Sequence, residues 1–234
     1  MNKPIQPRLQ TNLDTGFLKL VACAAMLVDH IGDAFFPGVQ LFRIVGRLAF
    51  PLFCYCMTVG LLYTSDIRRY LLRLAGFAAV SQPFYILAFH PYHFFEELGN
   101  PNIFFTLFLS LLALWGFTEH KWIVFLAAFF AVSWWNFDYS GNGILLMLIF
   151  YLCRERPRLG AALSLAFWLP CLFHGGELSL GAFSFDRQVF AALSVPLICA
   201  RTHVNPKIPK FAFYSFYPLH LAAIAALRLL VLHR

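Results

Sequence analysis

Residues 17–36 read FLKLVACAAMLVDHIGDAFF, and this stretch decides the fold. Its length matches the roughly 20 residues that an α-helix needs to cross the hydrocarbon core of a bilayer. Yet it carries Lys19, Asp29, His30 and Asp33. A charged group at membrane depth costs about 2.5–3.5 kcal/mol on insertion scales, so such groups face the interior of a helix bundle and find partners there. At 100° per residue, Lys19, Met26, His30 and Asp33 fall within about 60° of one another, with Asp29 slightly further round. Leu20, Leu27, Val28, Ile31 and Phe35 occupy the remaining faces. One helix with one polar stripe therefore predicts a membrane protein with a buried polar centre.

Outward from this segment the chain repeats the pattern. It is 60% hydrophobic and 12% charged, against about 45–50% apolar and 25% charged in soluble domains. Apolar runs at 17–36, 40–63, 67–89, 102–117, 121–135, 139–153, 158–173, 184–200 and 211–232 predict an all-α, polytopic transmembrane bundle of about nine spans. The fifth and sixth runs are short, and one of them suits a half-helix lining a cavity. Met1–Gly16 is polar and rich in proline; with Asp29 and His30 in the run that follows, it reads as an N-terminal arm before an uncleaved first span. The division is thus an arm over 1–16 and a single membrane domain over 17–234.

The formal charge of +7 is scattered in short clusters between the apolar runs, which excludes the single basic face of a nucleic-acid binder. Alternate connections hold these clusters: Lys3 and Arg8; Arg68 and Arg69; Lys121; Arg154, Arg156 and Arg158; Arg201, Lys207 and Lys210. The opposite connections hold Glu96, Glu97, Asp138, Glu177 and Asp186, with Arg187 and the terminal Arg234 as the basic exceptions. Positive loops stay in the cytoplasm, so the N-terminus is expected inside and, with nine spans, the C-terminus outside. The six cysteines lie in or beside apolar runs and read as ordinary small buried residues.

Charges left inside the spans mark the candidate site. Arg43 and Arg47, four apart, share a face of the second span, and Arg73 lies in the third. The first two spans run antiparallel across Pro37-Gly38, which sets His30 about 9 Å and Arg47 about 10 Å below the outer surface, with Asp33 and Arg43 matched at about 4.5 Å. Such layers serve either as a structural ion-pair lock or as a catalytic or proton-handling centre, and a histidine beside carboxylates favours the second. In the last span Tyr217 and His220 lie three apart on one face, next to Pro218, and His220 is placed to join the centre.

With these residues in hand, the chain resembles the TraX family of bacterial membrane proteins, known for the conjugative F-pilin acetylase. The resemblance runs from Leu18 to about Leu221. It rests on Leu18-Lys19 with Leu27-Val28-Asp29-His30-Ile31-Gly32, on Arg43 through Pro51, on Asn102 through Leu107, on Asp138-Tyr139 with Gly143, and on Phe213 through His220. The spacing of Lys19 and His30 is also similar to the Arg/Lys-x10-His pattern in the first helix of the wider class of membrane acyltransferases.

The resemblance implies a bacterial inner-membrane acetyltransferase that takes acetyl from cytoplasmic acetyl-CoA and passes it to an acceptor on the outer side, a pilin N-terminus or an envelope glycan. Lys19, Arg69 and Arg73 are expected to hold the phosphates of the co-substrate. His30 is expected to act as base, oriented by Asp29 or Asp33, with Arg47 at the oxyanion and Arg43, Tyr217 and His220 completing the centre. An acetyl-histidine intermediate is the alternative chemistry. Two other classes fit the composition: a proton-coupled transporter, which would often show inverted halves that this sequence lacks, and a structural assembly factor for an envelope appendage.

Overall fold

The computed structural model describes residues 11–135, 137–173, 175–180 and 183–232. Arg234 and the first ten residues of the arm, with Lys3 and Arg8, lie outside the described residues. The helices are α1 (Thr15–Phe35), α2 (Gln40–Gly46), α3 (Ala49–Tyr63), α4 (Ile67–Phe89), α5 (Ile103–Thr118), α6 (Trp122–Trp134), α7 (Asn142–Leu152), α8 (Pro157–Trp168), α9 (Ser194–Cys199) and α10 (Lys210–Leu232). Side-chain caps start three of them, because the first amides of a helix have no partner within it. Asp14 accepts from the Phe17 amide at 3.1 Å, Asp66 from Arg69 at 3.0 Å and Asn102 from Phe104 at 3.0 Å.

Five segments are long and apolar enough to cross a membrane: α1, the α2–α3 pair, α4, α5 with the 3-10 turn at Glu96–Gly99 before it, and α10. Four further apolar segments, Trp122–Trp134, Asn142–Leu152, Pro157–Leu172 and Arg187–Cys199, match the remaining expected spans but are shorter. Thirteen residues of α6 rise only about 20 Å, against a hydrocarbon core of about 30 Å. Among the described residues, length and composition thus support five of the nine expected spans. The expectation of helices throughout also needs one correction. From Leu169 the seventh run ends in a 3-10 turn, Leu169–Leu172, and a short antiparallel hairpin follows, β1 (Leu178–Leu180) with β2 (Phe183–Phe185), pairing Leu178 with Phe185. A 3-10 helix, Arg187–Leu193, leads from it into α9.

The helix α3 forms the centre of the bundle. Ala49 through Val59 is buried almost without interruption, and α1, α5, α7 and α9 pack around it. Large apolar side chains such as Leu72, Ile123, Phe130 and Leu219 stay exposed on the outside, as a lipid-facing surface requires. The α2–α3 span bends at Arg47-Leu48, where the amides reach back three residues, to Ile44 and Val45. Pro51 supplies the cause, since it has no N–H for the Arg47 carbonyl four residues earlier.

Two further locks join the ends. Asn12 is fully buried; its amide donates to the Ile198 carbonyl at 3.0 Å and its side chain to Thr202 at 3.0 Å, so the end of the arm is part of the bundle. Arg228, in the last span, donates to the Ala88 and Phe89 carbonyls at 2.7 and 2.9 Å, capping the C-terminus of α4.

Candidate functional site

The polar stripe of α1 meets α2 because two glycines allow it. A methyl group at Gly32 would overlap Phe42, and one at Gly46 would overlap the Asp29 carboxylate. With the backbones this close, Asp29 takes both arginines, Arg43 at 3.1 Å and Arg47 at 3.1 Å, while Asp33 pairs with Arg43 at 3.4 Å. The Asp33–Arg43 layer expected from depth is present. The deeper layer differs: Arg47 meets Asp29, one residue before the histidine.

Arg47 is saturated. Its Nε donates to the Arg43 carbonyl at 3.1 Å, Nη1 to Tyr139 at 3.2 Å and to Gln188 at 3.1 Å, and Nη2 to both oxygens of Asp29. A guanidinium has five donors, so Arg47 is held as structure. Arg43 uses only Nη1 in contacts among the described residues, and it lines the adjoining cavity. Tyr139 stacks on Phe50 at 3.8 Å, in the turn between α6 and α7. Tyr139 and Ser140 both have positive φ, 63° and 43°, a conformation costing about 1 kcal/mol or more for a residue with a Cβ. In the same turn burial pushes the Asp138 carboxyl above its usual range, with Arg47 and Arg43 opposing.

His30 turns away from the carboxylates. Its Nδ1 lies 2.7 Å from Nε2 of His220, and the two rings lie nearly coplanar and edge to edge, with centroids 5.0 Å and planes 11° apart. His220 in turn donates from Nδ1 to the Phe216 carbonyl at 2.7 Å. Tyr217 is fully buried, stacked on Phe104 at 4.3 Å, and flanks both histidine rings. Thus α1 and α10 join at the histidines, as the sequence suggests for His220, whereas the ring of His30 is oriented by a second histidine and not by Asp29 or Asp33.

Two cavities approach this junction. One, of about 190 Å³, is lined by Asp29, His30, Asp33, Arg43, Asp138 and Tyr139 among others. The second, of about 460 Å³, lies towards the N-terminal end of α1 and is lined by Lys19, Arg73, Tyr70 and Tyr214. Phe53, Phe104 and Leu107 line both, so a thin apolar wall divides them. Among the described residues neither Lys19 nor Arg73 forms an ion pair; Lys19 stands over Phe213 at 5.8 Å and Arg73 over Tyr70 at 6.0 Å. Arg69 does not join them: it pairs with Asp66 at 3.0 Å and is 80% exposed.

Sequence reasoning missed Gln188, Tyr139 and Asp138 as parts of the site. Asp138-Tyr139 had a signal, as one of the motifs carrying the family resemblance. Gln188 had none, since nothing local in a 3-10 segment points to Arg47, 141 residues away.

The family described as TraX protein matches residues 14–228. A probable fimbrial assembly protein FimC, serogroup H1, from Dichelobacter nodosus is 28% identical over 91% of this chain and 94% of its own length. Protein TraX from Escherichia coli is 28% identical over 91% of this chain and 86% of its own. A 38-residue stretch is 47% identical to the uncharacterized protein RP591 of Rickettsia prowazekii. No solved structure matches.

Proposed function

This chain belongs to the TraX family, and on that premise we propose that it is an acetyl-CoA-dependent acetyltransferase of the bacterial inner membrane, with its N-terminus in the cytoplasm. The observation that supports this best is the pair of cavities meeting at one apolar wall: Lys19 and Arg73, in no ion pair among the described residues, line one, and a histidine among fixed charges lines the other. Lys19 and Arg73 suit the phosphates of coenzyme A, which a cation cluster binds through charge-assisted hydrogen bonds. Helix α1 spans about 16 Å between Lys19 and His30, a distance the pantetheine arm can cover. The acceptor, a pilin amine or a glycan hydroxyl, enters the smaller cavity from the other face of the membrane.

There His30 takes the acceptor's proton as its nitrogen or oxygen attacks the acetyl carbonyl; the C–S bond breaks and the thiolate leaves on the cytoplasmic side. Because Arg47 is already engaged by Asp29, Tyr139 and Gln188, Arg43, which uses only Nη1 among the described residues, is the guanidinium with donors left for the developing oxyanion. A structural role in fimbrial assembly, the process in the D. nodosus relative's name, needs neither the cations nor the histidine.

The test is coenzyme A binding by the full chain in lipid nanodiscs. Binding should weaken with salt, since partly exposed charges are screened, and Arg73→Glu should weaken it by about tenfold or more, a loss of one strong charge contact. His30→Ala should abolish transfer and leave binding intact. Absence of coenzyme A binding, or indifference to Arg73→Glu, would remove the proposed cofactor path.

A further inference from the structure

The two bonds of His220, one to the Phe216 carbonyl within α10 and one to His30, admit only one placement of protons when the rings are neutral. The Phe216 carbonyl can only accept, so His220 carries its hydrogen on Nδ1. Its Nε2 is then a lone pair, and the 2.7 Å contact requires His30 to donate from Nδ1. The lone pair of His30 is consequently on Nε2. That nitrogen has no hydrogen-bond partner among the described residues, and His30 lines the smaller cavity whereas His220 does not. Asp29 and Asp33 are committed to Arg43 and Arg47, and Asp138, which lines the same cavity, makes no hydrogen bond to His30 among the described residues, which leaves His220 to decide the tautomer.

Resting on the reading of His30 as the base of acetyl transfer, we infer that His220 is a positioning residue, which fixes His30 as the Nδ1–H tautomer and leaves Nε2 free to meet the acceptor. When the acceptor's nitrogen or oxygen bonds to the acetyl carbon, its proton moves to Nε2 of His30 and the thioester electron pair leaves with sulfur. The His30 imidazolium then shares its Nδ1 proton with Nε2 of His220, whose own Nδ1–H still points at the Phe216 carbonyl. The positive charge spreads over two nearly coplanar, hydrogen-bonded rings without moving a heavy atom. Orientation of an imidazole by the partner of its second nitrogen is what selects the reactive one.

The decisive experiment is 15N spectroscopy of the histidine-labelled full chain in lipid bilayers, with the His30 signals assigned by difference from His30→Ala. Protonated and unprotonated ring nitrogens resonate far apart, so the parent should show a protonated Nδ1 and an unprotonated Nε2 at His30. His220→Leu should lose that single pattern and lower kcat by on the order of 10- to 100-fold, part of what a general base contributes. Coenzyme A affinity should stay unchanged. His220→Gln, whose side-chain oxygen can still accept from His30, should restore the pattern and part of the rate, and it serves where the leucine variant does not fold. A parent His30 protonated on Nε2, or a His30 pattern unaltered in both variants, overturns the inference. The expected tautomer in a protein that transfers acetyl to no acceptor would sink the acetyltransferase reading instead.

Discussion

Replacing Asp29 with asparagine keeps the shape that packs against Gly46 and removes the charge that two guanidiniums share. The carboxylate lies 3.1 Å from Arg43 and 3.1 Å from Arg47, and the three side chains are only 13–17% exposed. Exposed ion pairs contribute about 0–1 kcal/mol, while removing one partner of a buried pair costs about 3–5 kcal/mol, because the other charge stays behind unpaired. Partial exposure here, and the contacts that Arg47 keeps with Tyr139 and Gln188, place Asp29→Asn between these limits, at about 2–4 kcal/mol. Asp33 provides the internal control: it is 44% exposed and meets Arg43 at 3.4 Å, so Asp33→Asn should cost less than about 1 kcal/mol. Reversible unfolding in a lipid–detergent mixture, followed by tryptophan fluorescence, measures both. Equal losses, or a larger one for Asp33, would show that Asp29 does not hold the two arginines against α1.

Two more outcomes follow from single contacts. Phe104 lines both cavities and stacks on Tyr217, so Phe104→Leu should thin the wall and raise the use of propionyl-CoA relative to acetyl-CoA; an extra methylene is worth about 1–3 kcal/mol of discrimination, and unchanged selectivity in competition assays would dismiss the wall. Arg228→Leu removes the donor to the Ala88 and Phe89 carbonyls at a cost of about 1–3 kcal/mol, and hydrogen exchange should accelerate at the end of α4 and not at α3; uniform acceleration would argue against a local cap.

The membrane class, the five long spans and the polar stripe of α1 were legible in the chain, because the hydrocarbon thickness sets a length and a helix sets a 100° period. Arg43 facing Asp33 followed from the same arithmetic across Pro37-Gly38. Depth counting went wrong by one residue for Arg47, because Pro51 bends the second span at Arg47-Leu48 and Gly46 admits Asp29 beneath it. Length supports five of the nine apolar runs as spans, since a run shorter than about 20 residues has the composition of a spanning helix without its reach.

What the sequence determined by itself was the kind of helix and the residues each carries, since periodicity and residue chemistry are local properties. Only the tertiary structure decided which partner each charge receives. His30 could face Asp29, Asp33 or His220 from one and the same stripe, and it is the packing of α10 against α1, 190 residues apart in the chain, that brings His220 to 2.7 Å. Arg43 and Arg47 look equivalent as an i,i+4 pair, yet Tyr139 and Gln188, from a turn and a 3-10 helix far along the chain, hold one, while the other uses only Nη1 among the described residues. Long-range pairing is a property of packed surfaces, and no period in the chain encodes it.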